Sequence, residues 1–197
     1  MLRASGPKSV ETAGLYTQKK TKRFKEQDPE KVKAYLKELA QYRPEQIAYV
    51  DESGIDSYLY REYGWSPRGQ RLIGKISGRR YKRVGIVAAK LGREIIAPLT
   101  FDGTMEHRLF EQWFTQCLLP ALPEHTVIVM DNASFHRKKK LNALARKAHR
   151  TLLFLPPYSP ELNPIEHFWS WLKRSLKKLL PNYLSFDDAL FDIFQVN

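Results

Sequence analysis

The chain has 197 residues, 43% hydrophobic and 27% charged, with 33 Lys and Arg against 21 Asp and Glu for a net charge of +12. That length holds one domain with a proper core plus a short extension, and the composition is that of a soluble globular protein. No apolar run approaches the ~18 residues of a membrane span, and a single cysteine, Cys117, excludes an internal disulfide framework and any multi-cysteine zinc or iron–sulfur site.

Residues 1 to about 27 are polar and basic without periodicity. Their start has no apolar core of a signal peptide, so a cytoplasmic chain is expected. "DPEKVKAYLKEL" predicts a helix with Asp28 as N-cap, Pro29 at its first position and Val32, Tyr35, Leu36 and Leu39 as one apolar stripe. "QIAYVDESG" predicts a buried strand ending at Asp51, and "SYLYREYGWSPRGQ" a further strand and turn. "KRVGIVAAKLGREIIAPLTFDG" splits at Gly92 into a hairpin. "TMEHRLFEQWFTQCLLPALP" predicts a helix capped by Thr104, burying Leu109, Phe110, Trp113 and Phe114 and stopped by Pro120. Then come an apolar strand ending at Asp131, a basic helix in "RKKKLNALARKAHR", a strand in "TLLFLPP" and a long helix in "NPIEHFWSWLKRSLKKLL". "SFDDALFDIF" closes the chain as a helix capped by its own Ser185. Strands that give way to alternating helices and strands predict a mixed α/β sheet with helices packed on it.

The positive charge is clustered: five basic residues between Lys19 and Lys25, then Arg79, Arg80, Lys82 and Arg83, then Arg137, Lys138, Lys139 and Lys140. From Asn132 to Pro160 there is no acid. Clustered cations of this kind attract polyanions, nucleic acid above all, where a dispersed excess only solubilises.

Asp51 and Asp131 each close an apolar run, and a carboxylate beside a core needs a partner. That partner is an Arg or Lys, or a divalent cation with a preference for hard oxygen ligands; a turn-forming or capping role accounts for either aspartate alone. Glu166 has its own simple account, a capping box with Asn163. The sequence holds no phosphate-binding loop of the GxxxxGK[ST] kind, no GxSxG and no HExxH, which sets aside nucleotide hydrolysis, serine hydrolysis and zinc proteolysis.

Together the three acids are more specific than apart. Asp131 and Glu166 are separated by 34 residues, and the surrounding blocks are "YVDESGI", "VMDNASFH" and "LPPYSPELNPIEHFWSWLK". These resemble the signature blocks of the DDE transposases, in the bacterial insertion-sequence branch of the mariner-like superfamily. The resemblance runs from Pro44 to the C-terminus. It implies a ribonuclease H-like α/β fold, a mixed five-stranded sheet flanked by helices. It implies that Asp51, Asp131 and Glu166 hold two Mg²⁺ or Mn²⁺ ions and catalyse DNA cleavage and strand transfer at element ends. One ion would activate the attacking oxygen and the other the leaving oxygen. By the same resemblance, the partners are DNA (element ends and target) and a second copy of the chain, in the cytoplasm at the nucleoid. Asn132 and His136, in the second block, are candidates for ordering the metal site or touching DNA. Glu52 and Asp56 do not match the family's metal-binding position, and Trp169 and Trp171 are expected in the core.

The family's helix-turn-helix region has little room here, since 50 residues precede Asp51. The expected division is a basic linker and helix over 1–43 and a catalytic domain over 44–197. The recognition module would then come from a separately encoded polypeptide. The alternative is a catalytically inactive remnant that acts as a basic DNA-binding domain.

Overall fold

In a computed structural model, the described residues are 24–56, 66–71, 73, 78 and 83–195. The strand expected near residues 57–70 therefore lies largely outside them, as do Arg79, Arg80, Lys82 and most of the Lys19–Lys25 cluster.

Helix α1 (Pro29–Leu39) starts as expected: the Asp28 carboxylate accepts from the Glu30 and Lys31 amides, and Pro29 fills the first turn where no amide is needed. Of its stripe, Tyr35 is buried while Leu36 is 46% exposed. Strand β1 (Ile47–Asp56) pairs antiparallel with β2 (Arg83–Leu91), which turns at Gly92 into β3 (Glu94–Asp102). Gly92 takes the left-handed φ of 58° that this tight turn requires. β4 (Val127–Met130) pairs parallel with β1, and β5 (Thr151–Phe154) parallel with β4. The sheet order is β3-β2-β1-β4-β5, a mixed five-stranded sheet as expected.

Helices cover both faces. On one side α2 (His107–Trp113), a five-residue π-helical turn (Phe114–Leu118), α3 (Leu119–Ala121) and α4 (Lys138–Lys147) pack Phe110, Trp113, Phe114, Leu118 and Leu141 against Ala48, Val50, Val87 and Ile128. On the other, α5 (Ile165–Leu179) and α6 (Phe186–Gln195) pack Ile165, Trp169, Leu172 and Leu190 against Ile55, Ile86 and Ala88. α1 adds Tyr35 to a third cluster with Ile47, Val127, Val129 and Leu153.

Three local expectations are corrected. α2 begins after Glu106, not Thr104. β1 does not end at Asp51: it runs to Asp56, because β2 continues to supply backbone partners after the pairing with β4 stops at Tyr49. α5 is capped at Pro164 without a side-chain bond; the Asn163 side chain donates to the Val50 carbonyl (3.5 Å) instead of closing a box with Glu166. The Ser185 cap does form, its Oγ accepting from the Asp188 amide at 3.1 Å.

Candidate active site

Parallel pairing sets the register of the site. Ile47 faces Val127 and Tyr49 faces Val129, so the same register carried on two residues brings Asp51 beside Asp131, just past the end of β4. Glu166, in the first turn of α5, closes the group from the covering helix. All three carboxylates line one cavity of about 400 Å³, walled also by Asn132, Asn163 and the loop from Leu155 to Pro160. The described Asp56, by contrast, is exposed and away from this wall.

Strand alternation explains why adjacent acids have different partners. Successive side chains point to opposite faces. Asp51 shares the α5 face with Tyr49 and Ile55, where Trp169 Nε1 donates to its Oδ2 at 3.0 Å. Glu52 points to the α2 and α4 face, where its Oε1 lies 3.5 Å from His136 Nε2. The other ring nitrogen, His136 Nδ1, is 3.3 Å from Asp131 Oδ1. The imidazole is buried against the Phe110 ring, with centroids 4.4 Å apart.

The electrostatics follow. Burial, then the charges of Glu52 and Glu166, push the Asp51 carboxyl up to about 7, and the Trp169 bond only partly offsets them. Burial would also raise Asp131, but the bonds from His136 and the Ala133 amide outweigh it and hold that carboxyl below its ordinary value. Burial would lower His136, yet its bonds to Asp131 and Glu52 push it up to about 9. His136 is therefore a buried imidazolium between two carboxylates.

Glu52, Asp131 and His136 offer ligand atoms within 4.8 Å of one another. A single ion does not fit them, because the two ring nitrogens diverge and each faces a different carboxylate. Asp51, Asp131 and Glu166 bring hard carboxylate oxygens, the ligand type that Mg²⁺ and Mn²⁺ take, to one cavity. Burial first, then the charges of Glu52 and Glu166, disfavour the ionised Asp51, a cost that a bound divalent cation would offset.

The basic candidates separate. Arg83 is exposed on the first residue of β2, its guanidinium lying over Gly54. Lys140 Nζ is 2.6 Å from Oε2 of the buried Glu111, and Arg137 Nε is 3.9 Å from Glu111 Oε1, so both tie α4 to α2. Lys138 bonds Asn132 Oδ1 and lies 5.0 Å over the Phe154 ring, while Asn132 Nδ2 donates to the Leu155 carbonyl. Asn132 thus braces the cavity wall. Lys139 is exposed.

Sequence reasoning missed the pairing of Glu52 with His136; strand alternation beside a buried histidine was the available signal. It placed Trp169 in the core, where it is 2% exposed, but not on Asp51. Trp171, expected in the core, is 36% exposed.

The profile of a family described as "DDE superfamily endonuclease" matches residues 46–188. The chain is 36% identical over 99 residues to the transposable element Tcb2 transposase of Caenorhabditis briggsae, a match covering 48% of this chain and 36% of that protein. Its fold is similar to the Mos1 transposase in a paired-end complex with the left transposon end, with a TM-score of 0.65 at 16% identity, covering 83% of this chain and 54% of that one. It is also similar to the mariner Mos1 paired end complex with Mg, with a TM-score of 0.62 at 13% identity, covering 94% of this chain and 65% of that one. The chain therefore spans about a third of the curated relative and roughly half to two thirds of the solved chains.

Proposed function

The chain belongs to the DDE superfamily of endonucleases, and from that premise we propose that it is a transposase catalytic domain of the bacterial insertion-sequence branch. Its reaction is divalent-metal-dependent cleavage of DNA at element ends, followed by strand transfer into target DNA. The observation that carries this reading is the convergence of Asp51, Asp131 and Glu166, from a strand, a strand end and a helix start, on one cavity. The proposed assembly is a homodimer on DNA. The proposed organisation keeps 44–197 as the catalytic unit.

Asp51, Asp131 and Glu166 would hold two Mg²⁺ or Mn²⁺ ions, which supply an activated oxygen nucleophile and charge neutralisation at the phosphate. The chain's own residues prepare that site. Trp169 fixes one oxygen of Asp51 by its indole N–H. His136, with Glu52 on its other ring nitrogen, lies against one oxygen of Asp131. Asn132 and Asn163 tie the cavity wall to the strand ends. The test is nicking of duplex DNA by the full chain with Mg²⁺ and with EDTA, compared with Asp131→Asn; equal nicking by the Asn variant would overturn the proposal.

Two expected results follow from this arrangement. Affinity for a random duplex should fall about tenfold or more when salt is raised about fourfold, because phosphate contacts release counterions. A salt-insensitive affinity would reduce the basic clusters to solubilising charge. For His136, the variants Asn and Gln divide its two carboxylate contacts, since the Asn amide nitrogen sits where Nδ1 does and the Gln amide nitrogen where Nε2 does. His136→Asn should retain more Mn²⁺ affinity than His136→Gln, read from the free-ion resonance signal. Equal affinities would show that the bond to Asp131 does not orient it.

A further inference from the structure

Beside the carboxylates, the cavity is lined by an uncharged loop that carries one aromatic ring. It is the loop Pro156-Pro157-Tyr158-Ser159-Pro160. Tyr158 has φ of 57°, a left-handed backbone that a bulky residue adopts only at a cost. Four described non-glycine residues have such a backbone, Ala97, His125, His149 and Tyr158, and of these only Tyr158 lines the cavity. The strain does not bury the ring: Tyr158 is 55% exposed, and Phe24, whose ring centroid lies 6.2 Å away at a 42° tilt, is 54% exposed. Two large aromatic side chains thus stand in water at the rim of an acid-lined cavity.

The pair is anchored from behind. Gln27 Nε2 donates to Ser159 Oγ at 2.9 Å, and Ser159 Oγ donates in turn to the Pro157 carbonyl at 3.2 Å. Ser159 is 3% exposed, so the anchor is buried while the rings are not. Three prolines around Tyr158 restrict the backbone further.

We propose that Tyr158, backed by Phe24, is a stacking platform for an unpaired nucleobase next to the phosphate held at the carboxylates. The inference rests on the DNA-cleaving reading and deepens it. A phosphate at the carboxylates would bring its attached base to the same cavity that Tyr158 lines. The ring offers a flat apolar face, which every base can stack on regardless of sequence. A base still paired in the duplex could not present its face there, so the partner is a single-stranded or frayed DNA end.

The test uses the full chain with Ca²⁺ in place of Mg²⁺. The probes are a blunt duplex and the same duplex with a single-stranded tail carrying a fluorescent purine analogue. The wild type and Tyr158→Phe should bind the tailed duplex more tightly and quench the analogue. Tyr158→Gly accepts the left-handed backbone and removes only the ring. It should melt no lower than the wild type, lose the quenching, and bind the tailed duplex about tenfold more weakly, the scale of one base–aromatic stack. Blunt-duplex affinity should not change. Phe24→Ala, which leaves the loop backbone alone, should weaken tailed binding in the same direction. If both variants bind and quench as the wild type does, or lose blunt and tailed binding equally, the platform is overturned and the DNA reading stands. If the wild type binds neither duplex, both fall.

Discussion

Glu166→Gln should lower Mg²⁺-dependent nicking by orders of magnitude while leaving the fold in place. The amide supports a helix start about as well as the acid but brings no charge to a divalent ion. The structure sharpens this contrast, because the Asn163 box that would have explained Glu166 as a cap does not form. Two terms then set the melting point in EDTA. Loss of an acid from the first turn of α5 costs about 0.3–1 kcal/mol of helix-dipole interaction. Against it, removing the Glu166 charge relieves Asp51, which burial, Glu52 and Glu166 together push up to about 7. The sign can be checked by pH. A carboxyl raised in the fold binds its proton more tightly there than in the unfolded chain, so metal-free stability falls as pH rises from the ordinary aspartate value of 3.8 towards about 7. The Gln variant should show a shallower fall over that window. Nicking at the wild-type rate would remove Glu166 from the site.

Trp169→Ala should be the most destabilising of the site-adjacent changes. The indole is 2% exposed, packed among Ile165, Leu172 and the β1 and β2 side chains, and truncation of such a group costs about 3–5 kcal/mol. Against a typical net stability of about 5–15 kcal/mol that brings the chain near unfolding. Trp169→Phe separates packing from chemistry. It keeps most of the buried ring and removes the donor to Asp51 Oδ2. Urea denaturation should show a loss of about 1–3 kcal/mol for the orphaned acceptor. Nicking should fall much further than that stability loss implies, because one carboxylate of the three is no longer fixed. A Phe variant that is stable and nicks normally would make Trp169 a core residue alone.

Sequence reading reached the elements wherever local physics decided them. The Asp28 and Ser185 caps and the turn of the hairpin at Gly92 rest on contacts within a few residues, and the apolar runs of β4 and β5 are legible in their own composition; each forms as expected. The resemblance of three short blocks pointed to Asp51, Asp131 and Glu166 across gaps that no local rule spans. What those residues touch was settled by pairing and packing. β1 outruns Asp51 because β2 continues beside it, and the helix at Glu166 starts without an Asn163 side-chain cap because that amide is drawn to Val50.

The sequence by itself determined the charge balance and the alternation of apolar runs. Only the tertiary structure decided that Asp51 and Glu52, neighbours in the chain, serve opposite faces, one bonded to Trp169 and the other 3.5 Å from His136. The reason is geometric: a strand fixes which way each side chain points, but the partner it meets there comes from a segment 84 or more residues away, brought into place by burial that no local signal records.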